Sequence, residues 1–222
     1  MSGPIYFFQN RGDSGRTREV EVIVGRISSG NQYDFPVDTF WENQVSGVMI
    51  LPEQLQNING QIIKIEFYNE NPNVQPYTWR DINMILMETD STQFLPTNTQ
   101  TNNFESQLSN VTNVKTVFGD NPQQTGNVNL SYNPTIGFYD PVMGAGLGFF
   151  EYTGTKTLVI KLTSRQGSFY QSPGSTCPNH IHEVKNTRLA YHDKSVAQLQ
   201  PGDRGNSFFE QAITRITFRI NE

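Results

Sequence analysis

Cysteine is almost absent from this chain. Cys177 stands alone, so no internal disulfide can form, and a chain of 222 residues can bury enough core to stand without one. Alanine is nearly as scarce, with four residues against 22 asparagines, 17 glutamines, 18 glycines and 12 prolines. Alanine is the best helix former, and Gly and Pro interrupt helices. The balance argues against a helical protein and for strands joined by polar loops. Charge is also sparse, at 17% of residues with a net value of −5, and no basic block occurs. A phosphate backbone would find little to bind, so nucleic acid is not expected as a partner. The cluster Arg11, Arg16 and Arg18 is offset by Asp13, Glu19 and Glu21 and reads as a solvated arm.

Long apolar runs are missing too, so no membrane insertion is expected. The opening Met-Ser-Gly-Pro-Ile-Tyr-Phe-Phe-Gln-Asn has neither the basic start nor the apolar centre of a signal peptide. Synthesis in the cytoplasm of the producing cell is the expectation. There are three histidines, all between positions 180 and 192, and no Gly-x-Ser-x-Gly elbow. Gly144-x-Gly146-x-Gly148 lacks the Lys-Ser/Thr ending of a nucleotide loop. The chain is therefore not expected to be an enzyme or to carry a cofactor.

What is present is a series of segments with a period of two, the mark of half-buried antiparallel strands. Val20, Val22 and Val24 alternate with Glu19, Glu21 and Ile23. Ile63, Ile65 and Phe67 share a face opposite Lys64 and Glu66. Ile82, Met84 and Leu86 follow, then Leu158, Ile160 and Leu162, and last Ile216, Phe218 and Ile220. Turn chemistry separates them at Asn69–Asn73, Gly119–Pro122 and Ser172–Ser175. Pro52–Ile58 suits one or two helical turns, with Pro52 in the first turn and Asn59-Gly60 closing it. The polar stretch 90–113 is long for a structureless loop; a short edge strand around Thr92–Leu95 is expected in it. The predicted fold is all-β: an antiparallel jelly-roll β-sandwich with long polar loops and at most one short helix. Residues 1–19 read as an N-terminal arm or edge strand and residues 20–222 as one sandwich domain.

Several segments in order resemble a known family. They are Gly25, Pro36-Val-Asp-Thr-Phe-Trp41, Met49-Ile-Leu-Pro-Glu-Gln-Leu55, Gly60 to Asn69, and Phe150-Glu-Tyr-Thr-Gly-Thr-Lys-Thr-Leu-Val-Ile160. The pattern is similar to the β-sandwich modules of Bacteroidetes surface and secreted proteins. It covers about residues 20–165 and departs at Gln54, which stands between Glu53 and Leu55. The resemblance implies an architectural or binding role and brings no catalytic residues. A version of such a module lacking a leader looks like one taken up by a bacteriophage for its virion.

Candidate sites are few. His180 and His182 sit at same-face spacing on a strand and could share a metal ion, although two exposed polar residues are the blander reading. Trp79, Tyr77 and Trp41 could stack on a sugar or anchor a protein partner, although most aromatics of a sandwich are core. Glu42, Asp120, Asp140, Glu151 and Asp193 lack the dense acidic spacing of a calcium loop and read as solvated. Arg11-Gly12-Asp13 reads as a turn. Ile5, Tyr6, Phe7 and Phe8 form an apolar run that an isolated chain would expose, so they are candidate assembly contacts. The expected function is a non-catalytic structural or assembly protein, a bacteriophage virion component such as a capsid accessory, tail or fibre subunit. Its partners would be itself and other structural subunits. The alternative is a carbohydrate-binding or adhesive module of a Bacteroidetes cell surface, with a host-surface glycan as partner.

Overall fold

The computed structural model describes residues 16–25, 32–34, 43–68, 77–79, 83–94, 104, 107–118, 128–130, 138–139, 149–165, 176–181, 188–193, 206–208 and 210–221. Sixteen strands and one 3-10 turn form among them. The first eight strands are β1 (Thr17–Val24), β2 (Gln32–Asp34), β3 (Asn43–Ile50), β4 (Gly60–Tyr68), β5 (Tyr77–Trp79), β6 (Asn83–Thr89), β7 (Thr112–Phe118) and β8 (Val128–Leu130). The rest are β9 (Phe138–Tyr139), β10 (Phe150–Tyr152), β11 (Thr157–Arg165), β12 (Thr176–Ile181), β13 (Arg188–Asp193), β14 (Asn206–Phe208), β15 (Glu210–Ala212) and β16 (Thr214–Asn221).

Two antiparallel sheets carry the architecture. The first has the order β1-β16-β4-β10, with β9 beside β4; the second has the order β14-β13-β3-β11-β6-β7. The chain crosses repeatedly between them: β1 lies in the first, β3 in the second, β4 in the first, β6 and β7 in the second, β10 in the first, β11 in the second, β16 in the first. Those eight strands in that order are a jelly roll. Strands β13 and β14 extend the second sheet beyond β3.

The core lies between the sheets, where the period-two residues meet. Val20, Val22 and Val24 of β1, Met84 and Leu86 of β6, Leu158, Ile160 and Leu162 of β11, and Ile216 and Phe218 of β16 are all buried in one cluster. Strand β4 differs from its sequence pattern. Lys64 pairs with Thr217, but the next pair toward the strand start is Ile62 with Phe218, which leaves Ile63 as the extra residue of a bulge. A bulge flips the alternation. Ile62, Ile65 and Phe67 are therefore the fully buried set, and Ile63 is only half-buried.

The helix expected at Pro52–Ile58 is a single 3-10 turn, Pro52–Leu55. Gln54 closes it: its backbone N–H donates to Leu51 O at 3.0 Å, and its side-chain oxygen accepts the Leu51 N–H at 2.8 Å. The left-handed residues that end it are Gln56 and Asn57, with φ of 56° and 53°, while Gly60 already begins β4.

The edge strand expected around Thr92–Leu95 does not form at Thr92–Phe94, and Leu95 lies outside the described residues. The edge of the second sheet is β7 instead. Phe94 is drawn onto the outer face of that sheet, where it packs with Met49, Met87, Val159 and Phe104 in a second buried cluster. The Phe94 and Phe104 rings meet edge to face at 5.6 Å, and Lys161 lies 5.2 Å from the Phe104 ring centre. The described residues of the connection between β6 and β7, Phe94 and Phe104 foremost, thus strap the sheet from outside. Burial of their apolar area drives them there.

Candidate functional site

Strand register decides where the connections emerge. In the first sheet the end of β1 (Val24) pairs with the start of β16 (Thr214), which pairs with Phe67 near the end of β4. In the second sheet the start of β3 (Asn43) pairs with the end of β11 (Arg165), and Met84 of β6 pairs with Phe118 at the end of β7. The connections 25–42, 69–82, 119–149 and 166–213 therefore all leave from one end of the sandwich. The connections 51–59, 90–111 and 153–156 leave from the opposite end.

The long connections pair with one another. Strand β2, in the first of them, pairs with β12 in the last, Cys177 standing opposite Tyr33; β12 also pairs with β15. Strand β5 pairs with β8, with Tyr77 opposite Leu130 and Trp79 opposite Val128. Strand β9 pairs with the last residues of β4. Binding residues lie disproportionately on loops that a rigid scaffold positions in this way.

Against the sequence candidates, the structure brings Tyr77, Trp79 and His180 to this loop end, although on separate small sheets. Tyr77 and Trp79 are two apart on β5, and His180 on β12 stands opposite Gln211. Trp41, His182, Ile5, Tyr6, Phe7 and Phe8 lie outside the described residues. Among the described residues no group of three or more His, Cys, Asp or Glu side chains converges as a metal site would. No helix of the described residues is long and apolar enough to cross a membrane.

Two other regions carry the chain's own polar interactions. The outer face of the first sheet is a lattice of charges in register. Arg215 grips Glu66 with two of its nitrogens, Nε to Oε2 at 2.5 Å and Nη2 to Oε1 at 2.6 Å, and Lys64 Nζ reaches Glu66 Oε1 at 2.8 Å. Burial pushes the Glu66 carboxyl up, but these hydrogen bonds and the two cations outweigh it and hold its pKa below the ordinary value. Arg219 reaches Glu19 at 3.5 Å and lies 5.2 Å from the ring of Phe149.

Side chains also lace the sandwich where the sheets meet. Glu88 is buried and accepts Thr153 N–H at 3.0 Å, the Thr153 hydroxyl, and Asn113 Nδ2 at 2.8 Å. Asn113 donates in addition to Glu151 O at 2.5 Å, and Lys115 Nζ donates to Phe149 O at 2.6 Å. The base of the strap is closed by Asn110 Nδ2 to Asp90 Oδ2 at 2.8 Å, by Lys156 to Asp90 at 3.2 Å, and by Thr89 Oγ1 to Ser109 O at 2.5 Å. The Asn110 hydrogen bond and the Lys156 ammonium lower the Asp90 pKa. Sequence reading missed these polar anchors. A carboxylate such as Glu88, set among apolar strand residues, was their one visible signal.

Compared with known proteins, the chain matches no family model, no curated protein and no solved structure.

Proposed function

We propose that this chain is a non-catalytic structural subunit of a bacteriophage virion, a capsid accessory, tail or fibre component, which turns its loop end toward whatever it contacts. One observation carries the reading: the eight strands form a jelly roll whose connections 25–42, 69–82, 119–149 and 166–213 gather at one end, while a strap and a charge lattice lie on the two sheet faces. Jelly-roll sandwiches of this kind build virus capsids and also lectins. Fold analogy supports the reading without naming the partner.

A carbohydrate-binding or adhesive module is the second reading. It is favoured by Tyr77 and Trp79 lying on one short strand at the loop end. Stacking of a sugar on such rings would supply affinity where charge is sparse.

Two measurements on the purified chain separate the readings. Light scattering with negative-stain microscopy is expected to find discrete homo-oligomers or larger particles, and a glycan array is expected to be silent. Array binding that disappears in Trp79→Ala, with a chain that stays monomeric, would establish the adhesive reading and overturn the structural one.

A further inference from the structure

The two sheets are flush on one side only. At the β7–β10 side, Lys115 and Asn113 of the second sheet cap the carbonyls of Phe149 and Glu151 on the edge of the first. Counting inward from there, four main strands of the first sheet, β10, β4, β16 and β1, face four of the second, β7, β6, β11 and β3. Among the described residues the second sheet then continues through β13 and β14, and the first stops at β1. The result is a step. Its wall is the outer edge of β1, with which no strand pairs among the described residues, and its floor is the overhang of β13 and β14.

The β1 edge is eight residues long, and Ile23 on its outward face is 43% exposed. An edge of that length is a template for another strand unless something covers it. The opposite edge of the same sheet is already blunted by Lys115 and Asn113, so the two edges are not treated alike. The segment that precedes β1 contains Ile5-Tyr-Phe-Phe8, outside the described residues. That run is apolar at consecutive positions, the pattern of a strand covered on both faces. On the β1 edge of a single molecule, one face would lie over the overhang of β13 and β14. The other would lie beside Ile23, open to water. In an exchange, the copy that donates the segment is drawn alongside and is what would cover it.

We propose that the edge of β1, with the step beneath β13 and β14, is where copies of this chain join, the Ile5–Phe8 run of one copy adding as a strand to β1 of another. This rests on the structural-subunit reading and names the contact that reading needs.

The test compares three proteins at equal concentration: the full chain, a chain lacking residues 1–9, and the double substitution Phe7→Lys, Phe8→Lys, which keeps the segment but cannot bury it. Mass is read by light scattering, folding by thermal melting, and the edge by hydrogen exchange of the β1 amides. The full chain is expected to be a multiple of the single-chain mass. Both variants are expected to be folded monomers, with β1 amides exchanging several-fold faster and β3 and β11 unchanged. Unchanged oligomeric mass in both variants would overturn the inference and leave the structural-subunit reading standing. Unchanged β1 exchange despite a drop in mass would also overturn it, because the contact would lie elsewhere. A monomeric full chain would remove the reading itself and the inference with it.

Discussion

Glu66 shows how single residues are placed by their neighbours here. It stands on the outer face of the first sheet, yet it is only 4% exposed, because Arg215 and Lys64 close over it. Its folded pKa lies below the ordinary 4.5, so in the pH range just under 4.5 the unfolded chain takes up the proton first. The stability Glu66 contributes is therefore complete above that value and is lost as pH falls through the folded pKa. Glu66→Gln is expected to flatten the acid limb of a melting-temperature profile between pH 5 and the lowest pH at which the protein folds. An acid limb as steep as the unsubstituted protein's would assign it to other carboxylates. Gly47 is placed by contact rather than charge. A Cβ there would collide with the Phe104 ring, so glycine in mid-strand lets the strap lie against β3.

The strap is the element whose role depends most on packing. Phe104 is 4% exposed, and the backbone bond Gln107 N–H to Phe104 O (3.1 Å) depends on its position. Replacing a buried Phe with Ala costs about 3–5 kcal/mol in a well-packed site. Phe104→Ala is expected to fall near the lower end of that range, because Phe104 belongs to the outer cluster and the main core between the sheets does not include it. Exchange of the Asp90 and Gln107 amides would then accelerate while the β6 and β11 amides stay protected. Equal acceleration throughout would mean that the strap and the sandwich unfold together.

At the scale of the molecule, one apolar cluster crosses between the sheets, so they are expected to unfold together. Ile160 in β11 is fully buried in it. Ile160→Ala is expected to cost about 2–5 kcal/mol in urea unfolding. Far-ultraviolet dichroism and tryptophan fluorescence should move with one midpoint. Separate midpoints would show that the loop end unfolds independently of the sandwich. The loop end also bears on how much of the candidate site could be read in the sequence. Tyr77, Trp79 and His180 are visible as residue types, but their arrival at one end follows from the register of β1, β16 and β4 and of β3, β11, β6 and β7. No local pattern encodes pairings between residues as far apart as Met84 and Phe118, 34 positions, or Thr17 and Asn221, 204 positions.

The sequence by itself determined the fold class and the strands whose residues alternate, β1, β4, β6, β11 and β16. Scarce alanine, abundant Asn, Gly and Pro, and period-two runs such as Val20-x-Val22-x-Val24 act through local sterics and through which side of a strand can be dry, both of which are short-range properties. Tertiary structure decided what depends on partners from elsewhere in the chain. The bulge at Ile63 answers to the register of β16, which exchanged Ile63 for Ile62 in the core. The segment expected to hold an edge strand became a strap, because Met49, Met87 and Val159 left a dry patch on the outer face for Phe94 and Phe104 to cover. Burial rewards the final arrangement of surfaces, and that arrangement exists only once both sheets are assembled.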